Sequence, residues 1–449
     1  MASKHLLSKS TFMYGCQCPK RLYLHKFKPD LRNPEDEQQE FIFATGTDVG
    51  ILARELFPNG ISAEPPNPFS YHISVEKTAR FIANGHQVIY EASFNFESVL
   101  CAIDILVNKN GLWYAFEVKG SNRVKDTHIM DASLQHFVIT HAGLPLEDFS
   151  IVHLDNQYVR KGALNVNKLF TSESVLEQII ENKEFIGQKI NQLKTLLEEK
   201  KEPLIETGPH CFSPYQCDFT NHCKSVIENE ISSREKNIDH ESIKEFLNDW
   251  EFPLYFLDFE TVMPAVPEFD FSRPYQQIPF QFSLHVQKSK NANPEHFEFL
   301  GDGLNDPREE LIKNLLKIIE KKGSIVVWNK SFENSRLHEL ARDFPEYSKE
   351  IYSLADRLVD LMIPFRNKWY YLPGFNESYS IKKILPVLVP DLNYDALEIQ
   401  EGGMASLIYA GLKNQTEEKM EYQRKKLLEY CKLDTLAMVK ILNHLFSNI

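Results

Sequence analysis

Apolar residues in the first half of the chain recur with the periods of both strands and helices. The predicted strands cover residues 88–90, 100–107, 112–118 and 151–154. The sequence Asn108-Lys109-Asn110-Gly111 predicts a hairpin turn between the second and third of these strands. The predicted helices cover the N-terminal segment through about residue 28, residues 132–140 and residues 172–201. This mixture of elements predicts an α/β fold.

A second series of apolar runs follows a charged stretch. Residues 224–245 contain many charged side chains and no apolar run, so we interpret this stretch as a linker or a surface helix and assign residues 226–249 as the linker between domains at 1–225 and 250–449. The elements predicted beyond it are strands at 254–258 and 325–328 and a long helix at about 417–447. A chain of 449 residues is too long for one compact core, which agrees with two domains.

The composition, with 43% hydrophobic and 25% charged residues, is that of a soluble globular protein. The sequence contains no run of about 18 apolar residues, so it predicts no membrane span. The N-terminus lacks the apolar core of a signal peptide. We therefore expect a cytoplasmic protein without a membrane partner. The formal net charge of −13 counts against a surface that coats DNA non-specifically. It is compatible with an enzyme that concentrates carboxylates at its active site and binds phosphate through a metal.

Two acids and a lysine lie on the predicted hairpin. Glu117 and Lys119 are two residues apart on a strand, so their side chains share a face, and Asp104 lies on the preceding strand. Two carboxylates and a lysine in one cleft can bind a divalent metal, lower the pKa of a bound water and stabilise charge on a phosphodiester. Glu91, at the end of the strand before, can join the metal ligands. The alternative is a solvated surface pair, since Glu-x-Lys tripeptides are common.

This spacing resembles that of the PD-(D/E)XK nucleases, and Gln135, one helix downstream, matches the glutamine of their RecB-like branch. The resemblance implies that Asp104 and Glu117 bind Mg²⁺ or Mn²⁺. It also implies that Lys119 stabilises the developing charge and that Gln135 supports the site. The family tends to place a metal-binding histidine after a glycine in an early helix, whereas residues 46–50, Gly-Thr-Asp-Val-Gly, offer none. A site without this histidine has one metal ligand fewer than the family pattern, which counts against full activity.

Five of the seven cysteines cluster, which in a reducing compartment favours metal binding over a disulfide framework. The last three have five residues between neighbours, wider than the Cys-x-x-Cys knuckles of zinc sites but acceptable to iron–sulfur clusters. Residues 18–21, Cys-Pro-Lys-Arg, resemble the start of the iron–sulfur nucleases of CRISPR adaptation and of AddB-type recombination enzymes. Over roughly the first 225 residues, the resemblance implies a structural 4Fe-4S cluster on Cys18, Cys211, Cys217 and Cys223. Cys16 is the competing first ligand, and zinc or unliganded thiols are the alternatives.

The second half of the chain carries its own set of acids. Asp258 and Glu260 are two residues apart at the end of an apolar strand, so both can point at one site. Tyr430 and Asp434 are four apart on the predicted helix and share a face. Glu333 follows the strand at 325–328 and can supply a further acid, which lies between these two pairs along the sequence. Taken alone, Asp258 and Glu260 could equally be an ordinary pair of acids at the end of a strand. Tyr430 and Asp434 could equally be an ordinary pair on the surface of a helix.

Together these residues resemble the DEDD exonucleases of the RNase H-like, DnaQ-like class. In that class Asp-x-Glu supplies the first metal ligands and Tyr-x-x-x-Asp the last. Residues 328–333, Trp-Asn-Lys-Ser-Phe-Glu, resemble the family's His-Asn-x-x-Phe-Asp motif, with Glu333 in place of the aspartate. Residues 379–386 resemble its Ser-Leu-Lys segment. The resemblance implies a two-metal site for Mg²⁺ or Mn²⁺, a water positioned by Tyr430 and 3′ to 5′ cleavage.

The whole chain resembles a bacterial family described only as a domain of unknown function. The expected architecture is a PD-(D/E)XK restriction-endonuclease-like core with an iron–sulfur staple, followed by an RNase H-like DEDD exonuclease fold. We expect a metal-dependent nuclease that acts on nucleic acid, on DNA in preference to RNA. One alternative is a nucleic-acid-binding module in which one or both nuclease sites are degenerate. Another is an exoribonuclease, because nothing in the sequence reads the 2′-hydroxyl.

Overall fold

The computed structural model describes residues 6–34, 46–224, 235–290 and 292–448. They form an α/β protein with mixed sheets, as the apolar pattern predicts. The chain divides into two compact units, Met1–Glu228 with Ala265–Tyr275, and Asn229–Pro264 with Gln276–Ile449. The short segment Ala265–Tyr275 therefore belongs to the first unit, although it follows the start of the second.

The first unit is built on a mixed sheet. Its strands are β1 (Leu7–Ser8), β2 (Ile61–Ser62), β3 (Val88–Phe96), β4 (Val99–Lys109), β5 (Leu112–Lys119), β6 (Leu146–Leu154) and β7 (Phe170–Ser174). The order is β2-β3-β4-β5-β6-β7, and β1 pairs in parallel with the start of β4. Strands β3, β4 and β5 are antiparallel neighbours, whereas β5 and β6 run parallel. Asn110 and Gly111 both have positive φ, which confirms the predicted hairpin turn.

Helices pack against this sheet. They are α1 (Lys9–Gln17), α2 (Pro19–Phe27), α3 (46–53), α4 (Tyr71–Ala83), α5 (Asp126–His141), α6 (Val166–Leu169), α7 (Leu176–Glu181), α8 (Lys183–Glu199) and α9 (Thr220–Lys224). The single helix predicted over 172–201 is wrong, because residues up to Ser174 pair with β6 as strand β7. The rest is divided at Asn182, which ends α7 and begins α8. Asparagine favours such helix ends, since its side chain competes for backbone hydrogen bonds.

The second unit contains a five-stranded sheet and a separate two-stranded one. Its strands are β8 (Asn237–Ile238), β9 (Leu254–Val262), β10 (Ile278–Gln287), β11 (Glu295–Leu300), β12 (Ile325–Val327), β13 (Leu358–Asp360) and β14 (Tyr370–Tyr371). The larger sheet has the order β11-β10-β9-β12-β13, and only β10 runs antiparallel to the others. Every residue of β10 is buried, because helices cover both faces of the sheet there.

The helices of this unit are α10 (His240–Asn248), α11 (Arg308–Ile318), α12 (Lys330–Asp343), α13 (Ser348–Ala355), α14 (Ile363–Arg366), α15 (Ile381–Leu388), α16 (Gly402–Gly411) and α17 (Glu417–Asn448). Helix α10 lies within the stretch interpreted as a linker and is capped by Asp239, whose side chain accepts a hydrogen bond from the Ser242 amide. Helix α17 packs against β9 and β10, as its apolar face requires. Among the described helices, none has the length and apolar character needed to cross a bilayer.

Candidate functional sites

Four carboxylates of the second unit lie around one cavity of about 230 Å³. Asp258 and Glu260 point into it from β9, because residues two apart on a strand share a face. Glu333 reaches it from the first turn of α12, which follows β12 directly, and Asp434 reaches it from α17. Tyr430, one helical turn before Asp434, also lines the cavity. The structure therefore brings together all five residues that the sequence analysis selected in this half.

Burial and mutual repulsion dominate the electrostatics of this cluster. Burial raises the pKa of Asp258 well above its ordinary value, and the charges of three neighbouring acids, Asp434 first, raise it further. Burial also raises the pKa of Glu260 well above its ordinary value, the pKa of Glu333 to about 8 and the pKa of Asp434 to about 6. The charge of Lys382 lowers the pKa of Glu260 and Asp434 but does not offset the effect of burial, so the ionised cluster is only partly compensated by positive charge. A bound divalent cation would supply it.

Hydrogen bonds hold two of these groups in place. The Tyr394 hydroxyl donates to Asp434 Oδ1 at 2.6 Å, and the Lys382 ammonium donates to the Tyr430 hydroxyl at 3.0 Å. The pKa of Tyr430 is raised by burial and then by the neighbouring acid Asp434, so its hydroxyl stays protonated. Asp434 is therefore oriented by a neutral donor, and Tyr430 is fixed beside a positive charge.

The cluster has the spacing and the donor atoms of a metal site. Asp258, Glu260 and Cys431 each offer one ligand atom within 4.8 Å of the others. The Cys431 sulfur lies 3.6 Å from Asp258 Oδ2. Glu333 Oε2 is buried and has no hydrogen-bond partner, which is unusual for a carboxylate oxygen. Carboxylate oxygens suit Mg²⁺ and Mn²⁺, so the residues present fit the expected ions.

Four residues of this site did not emerge as candidates from the sequence: Asp360, Lys382, Tyr394 and Cys431. Lys382 lies in the segment that resembles Ser-Leu-Lys, which was a usable signal. Asp360 ends β13, and its charge is one cause of the raised Glu333 pKa, after burial. Tyr394 lies in an irregular stretch between α15 and α16, where no periodicity indicates which way a side chain points.

The first unit holds a second acidic site, in which Glu117 is the central residue. Its Oε1 atom accepts hydrogen bonds from Lys119 at 2.8 Å and from Lys9 at 2.6 Å. Lys119 also forms an ion pair with Asp131, and Lys9 Nζ lies 3.8 Å from the same carboxylate. Asp104 Oδ2 accepts a hydrogen bond from the Val118 amide at 2.6 Å. The predicted Asp-Glu-Lys set is therefore assembled, with two additional charged residues.

The acids of this site differ in their charge state. Burial and then the Glu117 charge raise the pKa of Asp104 to about 8. Burial also opposes ionisation of Glu117, but Lys119 and Lys9 outweigh it and hold the Glu117 pKa below its ordinary value. A cation between the two acids would favour the ionised form of Asp104 as well.

The remaining candidates are arranged differently around this centre. Glu91 forms an ion pair with Arg54 at 2.8 Å and has a positive φ of 54° within β3. Gln135 is fully buried and donates to Asp131 Oδ1 at 3.3 Å, so it contacts the site through Asp131. Asp131 lies four residues before Gln135 on α5, so helical periodicity could have identified it. No motif indicated Lys9.

Four cysteines line one small cavity of about 20 Å³ in the first unit. They are Cys18, Cys211, Cys217 and Cys223. Cys16 is not among the lining residues and packs with the apolar core of the unit. Within the described residues, no three of these thiols lie within 4.8 Å of one another.

The fold and sites define an α/β protein with an acidic, metal-compatible cluster in each unit and a cysteine-lined cavity in the first. Residues 255–380 match a family described as a domain of unknown function (DUF2779). The matched region contains Asp258, Glu260 and Glu333 and ends before Tyr430 and Asp434.

Three curated proteins resemble part of the chain. The uncharacterized protein MG366 homolog of Mycoplasma pneumoniae is 31% identical over 218 residues, which cover 42% of this chain and 32% of that protein. Uncharacterized protein MG366 of Mycoplasma genitalium is 30% identical over 220 residues, which cover 44% of this chain and 33% of that protein. Uncharacterized protein UU173 of Ureaplasma parvum is 29% identical over 175 residues, which cover 33% of this chain and 24% of that protein. The chain thus spans a third or less of the length of these relatives.

Proposed function

We propose that the protein is a metal-dependent nuclease whose principal active site is the acidic cluster of the second unit. The observation that carries the proposal is the convergence of Asp258, Glu260, Glu333 and Asp434 on one cavity. Burying this many carboxylates without a cation is costly, since the charges of Asp434, Glu260 and Glu333 all raise the pKa of Asp258. Clusters of buried acids with raised pKa values are typical of functional sites.

The sheet of the second unit supports an RNase H-like fold. Numbered in chain order, its strands are arranged 3-2-1-4-5, and only the second runs antiparallel. This is the arrangement of RNase H-like sheets, whose first strand carries the Asp-x-Glu pair, as β9 does here. The run α4-β3-β4-β5-α5-β6 of the first unit similarly supports a restriction-endonuclease-like core, with Asp104 on β4 and Glu117 on β5.

In the second unit, two divalent ions held by the four carboxylates would activate a water and stabilise the leaving 3′ oxygen. The protein's own groups complete the chemistry. Tyr430 offers a protonated hydroxyl to orient the attacking water, and Lys382 fixes that hydroxyl and adds positive charge. Tyr394 prevents Asp434 from turning away from the cavity. These roles predict 3′ to 5′ exonuclease activity by analogy with the DEDD class.

In the first unit, we propose a second nuclease site at Asp104 and Glu117, with Lys119 stabilising charge on the phosphodiester. Glu117 Oε2 is buried without a partner and fits a cation ligand. We further propose that Cys18, Cys211, Cys217 and Cys223 hold a 4Fe-4S cluster. The cluster would be structural, because it joins the end of α1 to the loop beyond α8.

The test is cleavage of labelled single- and double-stranded DNA and RNA by the full chain with Mn²⁺, compared with Asp258→Asn and Asp104→Asn variants. We expect 3′-shortened products that disappear in Asp258→Asn. Cleavage of DNA in preference to RNA is the expected substrate order, and the reverse order would support the exoribonuclease alternative. Equal activity of the wild type and the Asp258→Asn variant would refute the principal site.

A binding role remains the second candidate for the first unit. It is favoured by the two lysines on Glu117, which already balance the charge that a metal would otherwise neutralise. The absence of a histidine at residues 46–50 points the same way. If Asp104→Asn leaves all cleavage intact while Asp258→Asn removes it, the first unit binds nucleic acid or a partner without cutting.

A further inference from the structure

Lys9 lies in the acidic site of the first unit, although it comes from a helix remote in sequence. Its ammonium group is 2.6 Å from Glu117 Oε1 and 3.8 Å from Asp131 Oδ2. Lys119 contacts the same two carboxylates. The Lys9 side chain keeps 30% of its surface exposed, so a ligand can reach it.

The contacts of Glu117 divide the site into two sides. Both ammonium groups hydrogen-bond to Oε1, whereas Oε2 is buried and has no partner. Glu117 is 1% exposed, so water does not readily satisfy that oxygen. Asp104 is close enough for the Glu117 charge to raise its pKa. The unpartnered oxygen therefore fits a cation on one side of Glu117, while the two lysines occupy the other.

The formal charges favour an anion once a cation is bound. Asp104, Glu117 and Asp131 carry three negative charges when ionised, and Lys9 and Lys119 carry two positive charges. A divalent cation makes the total plus one. Without Lys9 the total would be zero. Lys9 thus provides the excess positive charge that would attract a phosphate group.

The helix that carries Lys9 is fixed at both ends. Ser8 and Thr11 form a capping box at its start. At its other end, the Gln17 amide donates to the carbonyl oxygens of His210 at 2.8 Å and Tyr215 at 2.6 Å, in the cysteine-rich loop. Nine residues of α-helix span about 13 Å, so α1 connects this loop to the acidic site as a rigid element. Lys9 is therefore held in place by its helix.

We propose that Lys9 is a second phosphate-binding lysine of the first-unit site, which acts with Lys119 on a nucleic-acid phosphodiester. The proposal rests on the proposed metal site at Asp104 and Glu117. In it, the ammonium groups of Lys9 and Lys119 would contact non-bridging oxygens of the phosphate. Lys9 forms no covalent bond and transfers no proton.

The test uses the full chain carrying Asp258→Asn, so that the second-unit site is weakened. Mn²⁺ binding is measured by electron paramagnetic resonance, and binding of a short fluorescein-labelled DNA oligonucleotide is measured by anisotropy with Ca²⁺. We expect Lys9→Met to tighten Mn²⁺ binding and to weaken DNA binding, each by about tenfold, because one positive charge is removed near both ligands. Lys9→Arg should restore DNA binding.

The matched control is Lys109→Met, at the exposed end of β4. Lys109 is five residues, or about 17 Å, from Asp104 along the strand, beyond the screening length at ordinary salt. It should leave both affinities unchanged. If Lys9→Met weakens both Mn²⁺ and DNA binding, or changes neither, Lys9 is structural and the proposal is wrong. If Asp104→Asn does not reduce Mn²⁺ binding, the proposed metal site itself fails, whatever Lys9 does.

Discussion

Glu333 provides the sharpest test of the acidic cluster, because it can be neutralised with almost no change in shape. The residue is 3% exposed, and one oxygen of its carboxyl group has no hydrogen-bond partner. Burial, and to a smaller extent the charge of Asp360, raises its pKa from 4.5 to about 8. Replacement by glutamine keeps the volume of the side chain but removes its ability to ionise.

The sign of the effect follows from proton binding. Between the unfolded pKa of 4.5 and the folded pKa of about 8, the folded state binds the Glu333 proton more tightly than the unfolded chain does. Stability therefore falls as pH rises through this window and is lowest above it. A separation of 3.5 pKa units corresponds to at most about 5 kcal/mol. Because water can enter the cavity and relax the charge, we expect a net gain of at least about 2 kcal/mol for Glu333→Gln above pH 8.

The assay is thermal unfolding of the full chain followed by tryptophan fluorescence. Three of the four tryptophans, Trp250, Trp328 and Trp369, lie in the second unit. Glu333→Gln should raise the melting temperature by roughly 5–10 °C at alkaline pH. It should change the melting temperature little near pH 4.5, where the wild-type carboxyl is already protonated. Mn²⁺ should stabilise the wild type more than the variant.

The control for this assay is Glu346→Gln, an exposed glutamate of the same unit, which should change the melting temperature little at either pH. An equal shift for Glu333→Gln at both pH values would mean that the effect comes from packing or hydrogen bonding. The reasoning from buried charge would then be refuted.

Two further predictions concern the groups around the sites. Tyr394→Phe removes the donor to Asp434, and the loss of a hydrogen bond to a charged group should weaken Mn²⁺ binding at the second-unit site about tenfold or more, measured by calorimetry. Unchanged affinity would show that Tyr394 only packs. Cys18→Ser should lower the iron content of anaerobically purified protein from roughly four per chain and reduce its broad absorbance near 400 nm. Cys16→Ser should leave both intact, since Cys16 does not line the cavity; tightly bound zinc in the wild type would contradict the cluster.

Much of the fold was predictable because its elements are strongly patterned. The β4–β5 hairpin, β9, β12 and α17 all appear where apolar runs or periodicity place them. The helix predicted over 172–201 was wrong because β7 is an edge strand with mostly polar residues, Phe170–Ser174. Its only signal is pairing with β6, and strand pairing depends on a partner that is distant in sequence.

The residues of the two acidic sites also fall into two groups, those that local spacing could pair and those that only tertiary packing brings together. Asp258 with Glu260, and Tyr430 with Asp434, are each placed on one face by the period of a single strand or helix, so spacing alone could pair them. Lys9 meets Glu117 only because β1 pairs with β4 and positions the start of α1. Tyr394 meets Asp434 from an irregular segment. No local pattern encodes such contacts, which depend on tertiary packing.

The two acidic sites differ in how far nearby lysines offset the charge of their carboxylates. In the first unit, Lys119 and Lys9 both lie near Glu117 and Asp131, so these two carboxylates are compensated by the protein itself. In the second unit, Lys382 hydrogen-bonds to Tyr430, and the acids are left with raised pKa values. Metal binding should therefore stabilise the second unit more than the first, because a cation would relieve repulsion among several acids there, whereas in the first unit Asp104 is the site acid with a strongly raised pKa. This difference gives a physical reason to expect the stronger metal dependence, and the principal catalysis, in the second unit.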